Sequence, residues 1–424
     1  MERALTRFPV VAARVALGSA AAVAAAGVIA VADPGQASPS ARARGGVSAW
    51  LPFWTASASL RVVVRERALF SVASPFWYEA GRTKVRPYPG AGSAPFIRRL
   101  KRARLPVIPT VTSRLGPRRM AALGRNAKSR HRHVRALLRL AARHRYDGLD
   151  LDYEHMALTT KRAQAAQARA GFTALVRELC ARLHRARRRC IVTVMPRTAD
   201  GARVWRSKLI PGVYDYAAIA RSADRIRVMA YDQHAPNTRP GPVAGLEWVD
   251  RVARYAVSKA PARKLELGIP LYGRDWGGRR VSMLTWRQAV GLQRRHRSPR
   301  RWSARTASPF FRYRLRGRRH TVWYSDAAST AIRYRLARRL GLGGIAFWAP
   351  GGEDPSTWRR LRAMARPHQA NARSARALSQ RSESSRPQFS AQPRKVATRS
   401  RAAGSRPRSS TWPPPRSTGP SWTR

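Results

Sequence analysis

The chain has 424 residues, 44% of them apolar, and carries 84 Lys and Arg against 21 Asp and Glu, a formal charge of +63. That apolar content excludes a chain disordered throughout and is ordinary for a globular domain with a full core. A field this positive attracts polyanions, whether nucleic acid, anionic lipid or the phosphate polymers of a cell wall. No nucleic-acid motif accompanies it, however, and a genome rich in arginine codons gives the same excess, so no specific nucleic-acid partner is expected.

Arg3, Arg7 and Arg14 precede an uncharged, Ala-rich stretch from Val15 to Ala32 with small residues at Ala30 and Ala32, the pattern of a secretory signal. Residues 1–37 are therefore expected to direct export, with cleavage near Ala32 or Ala37. Left uncleaved, the same stretch would just span a bilayer as an anchor.

The folded domain is expected over residues 46–366, where strand-like and helix-like patterns alternate. Candidate strands are Val47 to Trp54, Leu69 to Ala73, Val107 to Thr112, Tyr146 to Glu154, Cys190 to Met195, Ile226 to Tyr231, Leu265 to Leu271 and Gly344 to Trp348; helical patterns include Val134 to His144, Ala163 to Arg187 and Trp248 to Lys259. Such alternation argues for parallel strands with crossover helices, and eight strands for a closed α/β barrel of the (β/α)8 TIM class, with its site at the C-terminal strand ends. An open doubly wound sheet would want a Gly-rich turn after its first strand, where Trp50-Leu51-Pro52-Phe53-Trp54 offers none.

The seventh and eighth strands are far apart, and residues of about 275–325 read as a small α+β insertion. Phe310 to Leu315 and His320 to Tyr324 alternate around Gly317, a hairpin signal. Beyond Arg366 the composition turns to Ser, Pro, Arg, Gln and Ala, so residues 367–424 are expected to be disordered. Twelve Lys or Arg against Glu383 give that tail +11 of the total +63, so most of the basicity belongs to the rest of the chain. Cys180 and Cys190 fit no metal motif at their spacing, and two free buried thiols are preferred over a pair formed after export. His131 and His133 sit among arginines that repel cations, so they are expected to be solvated rather than ligands. No metal or organic cofactor is implied.

Four of the 21 acids fall in eight positions, Asp147-Gly148-Leu149-Asp150-Leu151-Asp152-Tyr153-Glu154. Side chains two apart on a strand share a face, so Asp150, Asp152 and Glu154 line up on one side, with Leu149, Leu151 and Tyr153 on the other. Carboxylates stacked this way repel each other and cost desolvation, a burden retained where perturbed acidity is used. A calcium loop starting at Asp150 would need Gly and Glu where His155 and Lys161 stand, which removes that reading.

The acidic run resembles the aspartate and glutamate signature of glycoside hydrolase family 18, the chitinases and related N-acetylglucosaminidases. Met229-Ala230-Tyr231-Asp232 is similar to that family's Met-x-Tyr-Asp strand end, Leu267 to Arg274 to its seventh-strand motif, and Gly344-Ile345-Ala346-Phe347-Trp348 to its last strand. The resemblance covers roughly Val47 to Arg366 and is nearest the bacterial branch that includes spore-cortex peptidoglycan glucosaminidases. It implies retaining hydrolysis of β-linked N-acetylglucosamine polymers, in which the substrate's 2-acetamido group replaces a protein nucleophile.

By that resemblance Glu154 is the acid and base, Asp152 holds the acetamido nitrogen, Asp150 shares a proton beneath it, and Tyr231 reaches the acetamido oxygen. Trp348 forms the floor under the sugar, with Met229, Asp232, Tyr272 and Arg274 as further substrate contacts. Asp147, of opposite parity, and Gly148 brace the motif. Trp276, Trp302, Trp323 and Tyr324 are either sugar platforms or the insertion's own core, and His234 either touches substrate or lines the rim. The implied partner is a polysaccharide containing N-acetylglucosamine, with anionic wall polymers a possible second, and the implied location is outside the cell or on its wall. A sugar-binding protein without turnover and a wall-binding scaffold are the other readings; Glu154 speaks against the first.

Overall fold

The computed structural model describes residues 46–365 except 160, 202–210 and 279. The expected export signal and the expected C-terminal tail lie outside the described residues. In chain order come strands β1 (Gly46–Pro52), β2 (Phe70–Ala80), β3 (Val85–Pro87), β4 (Thr110–Ser113), β5 (Gly148–Asp152), β6 (Arg189–Val194), β7 (Arg225–Val228) and β8 (Leu265–Pro270). They are followed by β9 (Gly273–Trp276), β10 (Ser282–Leu284), β11 (Arg301–Ser303), β12 (Ser308–Leu315), β13 (Arg318–Trp323) and β14 (Gly344–Trp348).

Eight of these pair in parallel in the order β1-β14-β8-β7-β6-β5-β4-β2, and β1 pairs back with β2, which closes the (β/α)8 barrel. The short β3 folds back antiparallel on β2 outside the ring. Strands covered by helices outside and by side chains inside are buried throughout, as β5 and β8 are. The helix Arg162–Arg185 shows the logic locally: Phe172, Leu175, Val176, Leu179 and Leu183 recur at helical spacing and are all buried in the main core.

Several strands depart from their expected limits: β1, β5 and β7 end two to three residues early, and β2 and β4 differ at prolines. β2 does not stop at Ala73 but runs to Ala80, because Trp77 and Tyr78 beyond Pro75 are buried and the register slips between Phe76 and Tyr78 instead of ending. β4 starts only at Thr110, since Pro106 and Pro109 have no N–H to give a ladder; Val107 keeps a single bridge to Ala73.

The insertion is a five-stranded antiparallel sheet, β10-β9-β13-β12-β11, with the helix Trp286–Arg295 on it. β12 and β13 join through Arg316 and Gly317, both at positive φ (49° and 73°), the backbone that a two-residue hairpin requires. Leu284, Ala289, Phe311, Tyr313, Val322 and Tyr324 form its own core, so Tyr324 is a packing residue and not a platform. Trp276 is buried too, Trp323 stacks on Phe310, and of the four aromatic candidates only Trp302 is exposed.

Two expectations are corrected. Cys180 and Cys190 form a disulfide. The helix carrying Cys180 returns antiparallel over β6, so a helix residue and the second strand residue, both fully buried, meet across the helix–sheet interface. His133 is not solvated: it lies on the inner face of the helix Ala127–Arg143, its Nε2 is 2.8 Å from the Tyr153 hydroxyl, and burial pulls its pKa down. His131, on the outer face, is exposed and bonds Glu178 at 2.6 Å.

Candidate active site

The acidic run enters the barrel on β5, between β4 and β6. Gly148 is required there, because a Cβ would stand 2.2 Å from the Arg189 carbonyl of the neighbouring strand. Asp147 braces the strand from outside the ring of inward residues: its Oδ2 accepts the Val107 N–H at 2.7 Å. Leu149 and Leu151 face the helices, and Tyr153 reaches outward to His133.

Asp150 points into the barrel and is fully buried, with both oxygens engaged by donors from other strands. One layer nearer the mouth, Asp152 is buried as well, and its Oδ1 has no hydrogen-bond partner. Burial, then the charges of Glu154 and Asp150, hold its carboxyl well above the usual carboxylate range. The strand ends at Asp152, so Glu154 departs from strand geometry (φ −90°, ψ −34°), yet it lines the same cleft as Asp152. Burial first and the charge of Asp232 second push the Glu154 pKa up to about 7.

β7 delivers the second half of the site. Tyr231 is buried beside Asp152, Glu154 and Asp232, and burial raises its hydroxyl pKa first of all. Asp232 sits at φ +56°, a left-handed conformation that Asp tolerates better than most residues. Its Oδ1 accepts from Tyr272 (2.5 Å) and from Arg274 Nη2 (2.7 Å) and Nε (3.2 Å). Arg274 lies on β9, so the insertion's sheet supplies the cation of this ion pair. Met229 is buried in the core at the end of β7. The last strand ends in Trp348, whose ring packs edge-on against Trp50, Trp54 and Phe76 with centroids 6.0, 6.1 and 5.3 Å away, and whose peptide bond to Ala349 is cis. His234 Nδ1 lies 3.0 Å from the Arg239 carbonyl oxygen.

A cleft of about 460 Å³ opens in front of the two acids, lined by Phe76, Glu79, Tyr88, Arg114, Asp152, Glu154, His155 and Met195 among others. Several of these escaped the sequence reading, as did Tyr214, whose hydroxyl bonds the Tyr153 carbonyl (3.0 Å) and whose pKa is raised by burial and then by Glu154 and Asp152. Tyr88 and Glu79 were hidden by the unforeseen length of β2. Of the two buried charges beneath the site, Glu266 had a visible signal as the one charged residue in the apolar strand Leu265–Pro270, whereas Arg227 did not, because Arg225 stands two positions before it in the same short strand. Neither the described acids nor the described histidines group into a metal site.

The model of glycosyl hydrolases family 18 matches residues 103–353, a span that holds the acidic run, Tyr231, Asp232, Arg274 and Trp348. The chain belongs to glycosyl hydrolases family 18. It is therefore a glycosidase. Among proteins similar to it, an uncharacterized glycosylase, YvbX, of Bacillus subtilis is 27% identical over 241 residues, covering 56% of this chain and 67% of that protein. The cortical fragment-lytic enzyme of Bacillus anthracis is 30% identical over 176 residues, 40% of each chain. The chain thus spans well under two thirds of that second relative. A chitinase from Chromobacterium violaceum superposes with a TM-score of 0.66 at 28% identity, covering 75% of this chain and 98% of that one.

Proposed function

We propose that this family 18 glycosidase cleaves β-linked N-acetylglucosamine polymers, whether chitin, chitooligosaccharide or the glycan of peptidoglycan, with the sugar's own 2-acetamido group as nucleophile. The observation that carries the reading is a buried Asp152 oxygen without a partner next to Glu154, an acid half-protonated near pH 7. Glu154 gives its proton to the glycosidic oxygen as the acetamido carbonyl attacks the anomeric carbon, and the C–O bond to the leaving sugar breaks. Asp152 accepts the acetamido N–H and faces the positive charge that spreads onto the oxazolinium ring. Tyr231 donates to the acetamido oxygen, and holding that oxygen on target makes the attack unimolecular. Water, deprotonated by Glu154, then opens the ring with retention at the anomeric carbon.

The names of the relatives support both a cortex-like glycan and chitin as substrate classes. Export to the cell surface is supported by the Cys180–Cys190 disulfide, which persists in oxidising compartments. There the charge of +63 favours association with anionic wall polymers. A sugar-binding role without turnover loses ground because the acid is present and its proton affinity is tuned. The test is digestion of chitin and of purified peptidoglycan by wild type and Glu154→Gln, with reducing ends identified by mass spectrometry. N-acetylglucosamine reducing ends from wild type and a loss of about 10²- to 10⁴-fold in the variant are expected; near-normal turnover in the variant refutes the assignment.

A further inference from the structure

Arg333, on the helix Ala327–Arg339, is a cation only 4% exposed whose hydrogen-bond partners are all neutral. Its Nε donates to the Ala244 carbonyl (2.8 Å) and its Nη1 to the carbonyls of Ala307 (3.0 Å) and Ser329 (2.7 Å). Its Nη2 donates to the Ala244 carbonyl, to the Thr306 carbonyl (3.2 Å) and to Ser308 Oγ (3.0 Å). Asp326, the acid whose charge reaches it, is itself paired with Arg300 at 2.8 Å. Burial pulls the Arg333 pKa down to about 10, so it is still a cation at neutral pH. A charge this deep costs desolvation energy that only a full set of acceptors offsets. Here the acceptors come from two segments besides its own helix: the loop after β7, through Ala244, and the entrance to β12, through Thr306, Ala307 and Ser308.

Both segments lead to Asp232. In the loop after β7 the neighbours of Ala244 grip Gln233: the Val243 carbonyl accepts the Gln233 N–H (2.9 Å), and the Gly245 N–H donates to Gln233 Oε1 (2.8 Å). Gln233 directly follows Asp232 and so anchors the far side of its left-handed bend at φ +56°. In the insertion, Phe310, two residues past Ser308, pairs with Trp323 on β13; Trp323 pairs with Arg274 on β9, which bonds Asp232 Oδ1. A main-chain bond from the Leu246 N–H to the Thr306 carbonyl (2.9 Å) runs between the same two segments beside Arg333. We infer that Arg333 is a positioning residue: it joins the loop after β7 to the insertion, and the joined pair places the Asp232 carboxylate both from its backbone and from its Arg274 partner. The other titratable groups around Glu154 are Asp152, Tyr214 and Tyr231, with Glu79, Arg114 and His155 along the cleft. Asp232 is the one that adjoins Gln233 and bonds Arg274.

The inference rests on the reading of Glu154 as the acid whose protonation Asp232 favours, and its test has an arm that needs no substrate. Full-length protein labelled with ¹³C at the glutamate side-chain carboxyls is titrated by NMR from about pH 4 to 9, with Glu154→Gln identifying the signal. Arg333→Lys keeps the cation but loses the planar fork, so the two segments part and Asp232 leaves its place. Glu154 is then expected to ionise at lower pH than in wild type. In an Asp232→Asn background the same substitution should produce no further lowering. A loosening that merely wets Glu154 would lower its ionisation pH equally in both backgrounds and so would overturn the proposal, as would an unchanged or raised value in Arg333→Lys. Gln233→Leu, which cuts the loop's hold beside Asp232 and leaves Arg333 in place, should lower the value too. Where Arg333→Lys does not fold, Gln233→Leu decides, and an unchanged titration there overturns the proposal. On chitohexaose, kcat/KM of Arg333→Lys should fall about 10- to 10²-fold near neutral pH, the cost of misplacing a group at the site from a distance, and a wild-type value counts against the proposal. Absence of turnover in wild type would instead count against the substrate reading alone, because the titration tests the positioning without substrate.

Discussion

Replacing Asp232 by Asn tests how the acid is tuned. Glu154 has an ordinary value of 4.5 and is pushed to about 7 by burial and, second, by the charge of Asp232. At pH 6 the displaced group is about 90% protonated, where an undisplaced one would be about 3% protonated, so the environment supplies roughly 30 times more acid. In Asp232→Asn the repelling charge is gone and the Arg274 guanidinium that it balanced remains, and both changes favour ionised Glu154. Burial, the larger cause, is untouched, so only part of the displacement should be lost. Asn also tolerates the left-handed backbone at φ +56°, which protects the fold. The assay is the pH dependence of kcat/KM on a soluble chitooligosaccharide. Wild type should lose activity as pH rises through about 7, and the variant should lose it at lower pH, whatever happens to its KM. A basic limb that stays in place or moves upward would show that Glu154 is not the acid or that Asp232 does not act on it.

Three further outcomes are expected. Because the folded-state pKa of Glu154 is raised, the native protein binds more protons than the unfolded chain between about 4.5 and 7 and loses stability as pH rises through that window; Glu154→Gln cannot ionise, so by calorimetry its melting temperature should exceed that of wild type at pH 8 and match it near pH 4.5, and a uniform decrease would contradict this. Cys180→Ser/Cys190→Ser removes a cross-link between residues ten apart and should cost about 3 kcal/mol in denaturant unfolding, with no effect of reductant on the variant. Gly148→Ala puts a methyl 2.2 Å from a backbone oxygen that cannot swing away, so it should lower stability by at least about 1–3 kcal/mol, measurable as a drop in melting temperature, while a neutral result would mean that β5 and β6 part easily.

The barrel and the acid pair were readable because period and spacing express them directly: apolar runs bounded by helical patterns mark the strands, and the alternation of Asp150 with Asp152 puts two acids on one face. The hairpin was equally plain, since Gly317 stands between two alternating runs and meets the positive-φ demand of a tight turn. What stayed hidden depends on contacts between segments far apart. Pairing of Cys180 with Cys190 follows from the angle at which one helix lies on one strand, and the burial of His133 from which face of an arginine-rich helix turns inward. Arg227 was camouflaged by composition: in a chain with 84 Lys and Arg an arginine in a strand reads as background, although it pairs with Asp150 at 3.0 Å.

The proposed mechanism requires the sugar's own acetamido group to be the nucleophile. Proton NMR of the products in the first minutes of chitohexaose hydrolysis tests that directly, before mutarotation blurs the signal. The β anomer should appear first from the β-linked substrate, whereas initial release of the α anomer would mean direct attack by water and would contradict the mechanism.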